Sequence, residues 1–281
     1  MLSYRHSFHA GNPADVLKHT VLIQILKSLT QKDKPICCID THAGTGLYAL
    51  DSSFALKNKE FADGIEKLWR RKDLPASVAD YVKLVKGFNS DPTKLTRYPG
   101  SPLITAQFLR NKDRLFLYEL HPTEIKALTE LTAKKRQIKA VHADGLAGAI
   151  GLLPPIERRG LVLIDPSYEI KSDYELVVES LIKMHKRFAT GTYALWYPVI
   201  ERAKIQRMEK AIQNTGIKNI QLFELDIQAD SDEIGMTGSG MIVINPPWTL
   251  MADMRTTLPW LAKELGLNGA GSHRCHVLAA E

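Results

Sequence analysis

Seven short apolar runs, each closed by an acid or a turn residue, recur along this chain: PICCID at 35–40, RLFLYEL at 114–120, IKAVHAD at 138–144, GLVLIDP at 160–166, TYALWYP at 192–198, IQLFEL at 220–225 and GMIVINP at 240–246. Short runs bounded in this way are what a strand buried on both faces requires. Five of them are separated by helix-length segments, so the pattern predicts one doubly wound α/β sheet with helices on both faces. The 281 residues suffice for one such domain with a large core, and no repeat or Pro/Gly/Ser linker divides them. Residues 1–281 are therefore expected to form a single domain.

Asn12-Pro13-Ala14-Asp15 supplies an N-cap, a proline at the first helical position and an acid in the first turn, which predicts a helix from about 13 to 30. One gap is out of scale. About 73 residues separate the first two runs, where a crossover of roughly 30 would do. NKEFADGIEKLWRR and ASVADYVKLVKGF have helical spacing, and Ser101-Pro102 starts the next helix. A small helical insertion at about 50–97 is expected.

The three cysteines, Cys37, Cys38 and Cys275, form an odd set, and the first two point to opposite faces of a strand. They fit reduced packing residues of a cytoplasmic protein. The first residues carry no apolar signal region, and no run approaches the roughly 18 apolar residues of a membrane span. A net charge of +6 leans toward a polyanionic partner. No His and Cys spacing suits zinc, so no metal is expected.

Acids stand where strands end. The first strand runs into Asp40-Thr41-His42-Ala43-Gly44-Thr45-Gly46, a turn that lets a ligand approach the backbone but lacks the spacing of a dinucleotide fingerprint. The second ends in Glu119, placed for ribose hydroxyls, and the third in Asp144-Gly145, placed for an adenine amino group. This ordered set fits an S-adenosylmethionine site. The fourth strand adjoins the first and ends in Asp165-Pro166-Ser167-Tyr168. There the Asp165 carboxylate and the Pro166 carbonyl can accept the two N–H groups of an aromatic amine and aim its lone pair for in-line methyl transfer. Tyr168 offers a face for a base that has left its stack.

A rival, Asn245-Pro246-Pro247-Trp248, has two prolines, whereas the fourth strand has Ser167 at the second position. It closes the seventh strand, which in this topology inserts antiparallel between the fifth and sixth, away from the switch point where ligands bind. Strand order selects Asp165. Ser167 is expected to loosen the loop without disabling the site.

MLSYRHSFHAGN, IDTHAGTG, YPGSP, LYELHP, HADG, IDPSYE, KRFATGTYALWYP and GMIVINPPW together resemble the RlmJ family of bacterial 23S ribosomal RNA adenine-N6 methyltransferases, over nearly the whole chain. The resemblance implies a Rossmann-like class I methyltransferase with an inserted helical subdomain. It would act as a monomer on 23S rRNA before ribosomal proteins assemble. It implies S-adenosylmethionine contacts from His19, His42, Ser101, Glu119, Asp144 and Gly145, with Asp165 as the catalytic residue. Tyr4 would help hold the target adenosine, with Lys18, Pro166 and Tyr168 as further substrate residues.

The residues alone leave more open. Lys18 and His19 lie on the helix before the first strand, where cations can meet the methionine carboxylate of the cofactor. Tyr4-Arg5-His6 is either a loose tail or an arm that closes over a base. Basic groups at 70–72, 134–136, 158–159 and 183–187 are candidate phosphate contacts, the WRRK of the insertion foremost. A DNA-adenine or protein-glutamine methyltransferase, and an RNA-binding protein without catalysis, are the alternatives in view. A nicotinamide dehydrogenase is disfavoured, because the glycine turn is wrong and no proton donor is placed for hydride chemistry.

Overall fold

The structure, a computed structural model, describes residues 5–170, 172–230 and 235–281. In chain order it contains α1 (Pro13–Gln31), β1 (Cys37–Asp40), β2 (Leu47–Ala49), α2 (Ser53–Asn58), α3 (Ile65–Leu68), α4 (Ala76–Lys86), β3 (Arg97–Pro99) and α5 (Ser101–Ala106). These are followed by β4 (Arg114–Glu119), α6 (Pro122–Thr132), β5 (Ile138–His142), α7 (Gly145–Leu152), β6 (Gly160–Ile164) and α8 (Asp173–Arg187). The last elements are β7 (Thr192–Val199), α9 (Arg202–Asn214), β8 (Ile220–Asp226), β9 (Gly238–Ile244), α10 (Leu250–Leu265) and β10 (Ser272–Ala279).

Eight strands form one sheet in the order β10-β8-β9-β7-β6-β1-β4-β5. β5, β4, β1, β6 and β7 run parallel, and β9 lies antiparallel between β7 and β8. Every residue of β1 and β6 is buried, as their unbroken apolar sequences require. Successive residues of β1 serve different layers. Cys38 joins the cluster that includes Val21 and Leu22 of α1 and Leu258 of α10, and Cys37 joins the one that includes Val177 of α8 and Ile205 of α9.

The chain moves from β1 to β4 on one side and from β6 to β7 on the other, so the direction of winding reverses between β1 and β6. Carboxyl ends diverging there open a crevice, the usual ligand position in such sheets. α1 starts beside it. The Asn12 side chain accepts from the Asp15 N–H, capping the helix and turning its first turns toward the crevice.

Three strands, β2, β3 and β10, lie outside the expected seven. β2 and β3 pair antiparallel, Leu47 opposite Pro99, so the stretch carrying α2 to α4 leaves and returns at one point. β10 pairs antiparallel with β8 and is absent from the apolar runs of the sequence. SHRCHVLA has no apolar run because it forms a half-exposed edge.

Candidate active site

Four strand ends supply the acids. Asp40 accepts from the Ser101 hydroxyl at 2.6 Å and from the His42 N–H at 3.2 Å. Burial lifts its carboxyl to about 7 against the pull of the Ser101 hydrogen bond, with the nearby Asp165 adding to the rise. Glu119 accepts the Gly44 N–H at 2.8 Å and the His121 N–H at 2.7 Å, which fixes the glycine turn to the end of β4. Gly44 stands at φ +60, where a side chain would also strike the Tyr48 hydroxyl. Asp144 caps α7 by accepting the Ala147 N–H at 2.9 Å. Gly145 comes so close to the Thr41 carbonyl that no side chain fits.

Asp165 follows β6 and meets a buried charge cluster. The Lys18 ammonium donates to Asp165 Oδ2 at 2.6 Å and lies 2.8 Å from Asp15 Oδ1. Asp15 Oδ2 in turn sits 2.9 Å from His6 Nε2 and accepts the Gly11 N–H at 2.8 Å. Burial works against the charge on Asp15, yet His6 and Lys18 hold its carboxyl well below the usual range. Burial would likewise lower Lys18, and the two carboxylates overcome it and raise its titration. At Asp165 burial prevails over Lys18 and the carboxyl titrates above its ordinary value.

Two cavities meet at this cluster. One runs over the ends of β1, β4 and β6 and is lined by Lys18, His19, His42, Ser101, Glu119, Asp144 and Gly145, together with Asp165 and Pro166. The other opens toward β7 and is walled by Trp196, Pro198 and Ile200. His6, Lys18, Asp165 and Ser167 border both. Asp165 thus stands between two chambers. Among the described residues, no group of three or more His, Cys, Asp or Glu side chains is arranged to hold a metal ion.

Of the sequence-derived residues, Tyr4 lies outside the described residues, and Tyr168 is not where a stacking face was expected. Its backbone stands at φ +52, which turns the ring inward. Only 7 % exposed, it packs on Tyr174 at 4.6 Å and donates its hydroxyl to the Trp196 carbonyl at 2.7 Å. Tyr168 lines neither cavity; the aromatic wall beside Asp165 is Trp196. WRRK is also less free than expected. Trp69 is buried, and Arg71 is held by Asp73 and Glu264.

The rival Asn245-Pro246-Pro247-Trp248 lies at the other end of the sheet. Ile244 pairs with Tyr193 at the start of β7, and the Asn245 amide donates to the carbonyls of Ala189 and Gly191, each at 2.8 Å.

Sequence reasoning missed Asp15 and Trp196 as parts of the site, and had His6 only as part of a possible arm over the base. The Asp15 to Lys18 spacing of one helical turn was a visible signal for the first pair. Nothing local marks Trp196, whose role depends on where β7 ends.

The family model described as ribosomal RNA large subunit methyltransferase D, RlmJ, matches residues 33–278. A ribosomal RNA large subunit methyltransferase J of Escherichia coli strain K12 is 51 % identical over 271 residues, 96 % of each chain. A protein of the same description from Haemophilus influenzae is 50 % identical over 272 residues, 97 % of each. A crystal structure of a Legionella pneumophila protein superposes with a TM-score of 0.89 at 36 % identity, covering 96 % of this chain and 98 % of that one.

Proposed function

Because the chain belongs to the RlmJ family of ribosomal RNA large subunit methyltransferases, we propose that it methylates the exocyclic N6 amine of a single adenine in 23S rRNA, with S-adenosylmethionine as donor. The observation that carries this reading is the position of Asp165, bordering both cavities at the switch point. One chamber suits the cofactor and the other a base drawn out of its stack.

The polar lining of the first chamber supports this reading. Glu119 would accept from the ribose hydroxyls, Asp144 and Gly145 would hold the adenine, and Ser101, His42 and His19 would meet the remaining polar groups. His19 Nε2, buried and without a hydrogen-bond partner among the described residues, is an orphan that a ligand acceptor would satisfy. When bound, S-adenosylmethionine supplies an electrophilic methyl group on a sulfonium leaving group.

The protein's work is positioning. The Asp165 carboxylate and the Pro166 carbonyl accept the two N–H groups of the amine, so that its lone pair faces the methyl carbon. With S-adenosylmethionine bound, Asp165 would take the proton that the amine gives up on receiving the methyl group. Trp196 flanks the base, and Lys18 passes from Asp165 to Asp15 as the amine arrives. The stretch from 50 to 97 acts as an inserted helical unit beside the RNA, and Tyr4 joins the base from the N-terminal arm. The protein works as a cytoplasmic monomer on RNA that ribosomal proteins have not yet covered. No helix among the described residues is long and apolar enough to cross a membrane.

Mass spectrometry of rRNA fragments from cells with and without the protein tests the reading. One N6-methyladenosine is expected to vanish with the gene and to return with the wild type but not with Asp165→Ala. Deproteinised large-subunit rRNA, DNA and release-factor protein, offered in vitro, separate the substrate classes. Methylation of either of the last two but not of the RNA would overturn the proposal.

A further inference from the structure

We infer that Tyr98 is a positioning residue for the cofactor: its hydroxyl donates to His19 Nδ1 and keeps the histidine's proton on Nε2, as a neutral donor for the carboxylate at the amino-acid end of S-adenosylmethionine. This rests on the cofactor reading above.

The Tyr98 hydroxyl lies 2.6 Å from His19 Nδ1 and 3.0 Å from the Tyr81 hydroxyl. All three side chains are buried, with His19 1 % exposed. His19 lines the cofactor chamber, and its Nε2 has no hydrogen-bond partner among the described residues. Burial pushes the imidazole down to about 3, so it is neutral and one ring nitrogen carries a hydrogen.

The surroundings choose between the two tautomers. Asp15 Oδ1 stands 4.0 Å from Nε2. With the proton on Nδ1, the bare lone pair of Nε2 would face that carboxylate, and the two negative ends would repel in a site with little water. With the proton on Nε2, the positive end of the N–H faces Asp15 instead. Nδ1 then accepts from Tyr98, and the Tyr98 oxygen accepts from Tyr81. Every member is satisfied except Nε2–H, a buried donor that lacks an acceptor among the described residues. A carboxylate entering the chamber supplies one.

Neither tyrosine lines the chamber. Tyr81 belongs to α4 and Tyr98 to β3, so the long stretch between the first two strands of the main sheet acts on the cofactor wall through a hydrogen-bonded chain.

Two measurements test the inference. Nitrogen-15 NMR of the histidine-labelled wild type, with His19 assigned by His19→Gln, is expected to show the proton on Nε2, and a proton on Nδ1 would overturn it. Calorimetry of Tyr98→Phe is expected to show S-adenosylhomocysteine binding weakened by about tenfold, the loss of one hydrogen bond to a charged group. Binding of 5′-methylthioadenosine, which lacks the amino-acid end, should stay within about twofold, since no lost contact reaches it. Equal weakening of both ligands, or none of the first, overturns the role of Tyr98. Tyr81→Phe, one step further out, should show the same selectivity at smaller amplitude and serves if Tyr98→Phe does not fold. A wild type that binds neither ligand would instead overturn the cofactor reading.

Discussion

Lys18 can stand in a buried site beside Asp165 because Asp15 is there too. An ammonium taken out of water needs a carboxylate at all times, and a base that claims Asp165 would otherwise strand it. The pairing also explains why Asp15, itself almost fully buried, remains charged. Asp40 is the opposite case, a carboxyl whose titration burial raises, and it carries a pH signature. Its titration rises from 3.8 to about 7 on folding. Between those values the folded chain holds a proton that the unfolded chain has lost, so stability falls as pH rises through the window. The contribution is full below about pH 4 and gone above about pH 7, a difference of about 4 kcal/mol at 1.36 kcal/mol per pH unit. Denaturant titrations should therefore show a decline between pH 4 and 7 that flattens in Asp40→Asn, and equal slopes in the two proteins would refute the assignment. Single residues were partly legible. The acids at strand ends show in the sequence because strands stop at them, whereas the inward turn of Tyr168 depends on a backbone angle that no residue type announces.

β10 shows how an element escapes a reading based on apolar runs and is still held firmly. Its residues are mostly exposed or half-buried, and beside its backbone ladder with β8 an ionic network ties it to the sheet. Arg274 reaches Glu209 at 2.7 Å and Glu224 at 3.2 Å, and Glu224, wholly buried, also accepts from Arg202 and from the Tyr197 hydroxyl. Arginine forks in such a network bind carboxylates with fixed geometry. Removing β10 would bare the edge of β8 and leave Glu224 with one cation fewer, and open edges pair with other chains. A chain ending at Ala270 should elute at a larger apparent size than the full chain, or precipitate; an elution volume in size-exclusion chromatography no earlier than that of the full chain would show that β10 does not guard the edge. The buried parallel strands were legible for the converse reason, since burial on both faces leaves a continuous apolar signature. The β2 and β3 pair is too short to leave any pattern.

Across the whole molecule, topology separates two similar sequences, only one of which reaches the crevice. Asp165-Pro166 and Asn245-Pro246 both follow apolar strands, but β6 and β9 run in opposite directions, so the strands end at opposite sides of the sheet. The register separates them by four residues along the strand, roughly 13 Å, and by two strand spacings, roughly 10 Å across. No base held at Asp165 touches Trp248. That side chain is 88 % exposed, and trimming it costs little stability, about 0.5 kcal/mol or less. The double variant Pro247→Ala, Trp248→Ala is therefore expected to methylate RNA at a rate within about threefold of wild type, because it leaves the transition-state contacts untouched. Asp165→Ala should fall below detection in the same assay. A loss in the double variant as deep as that of Asp165→Ala would mean that the prolines, and not the strand order, mark the working end of this sheet.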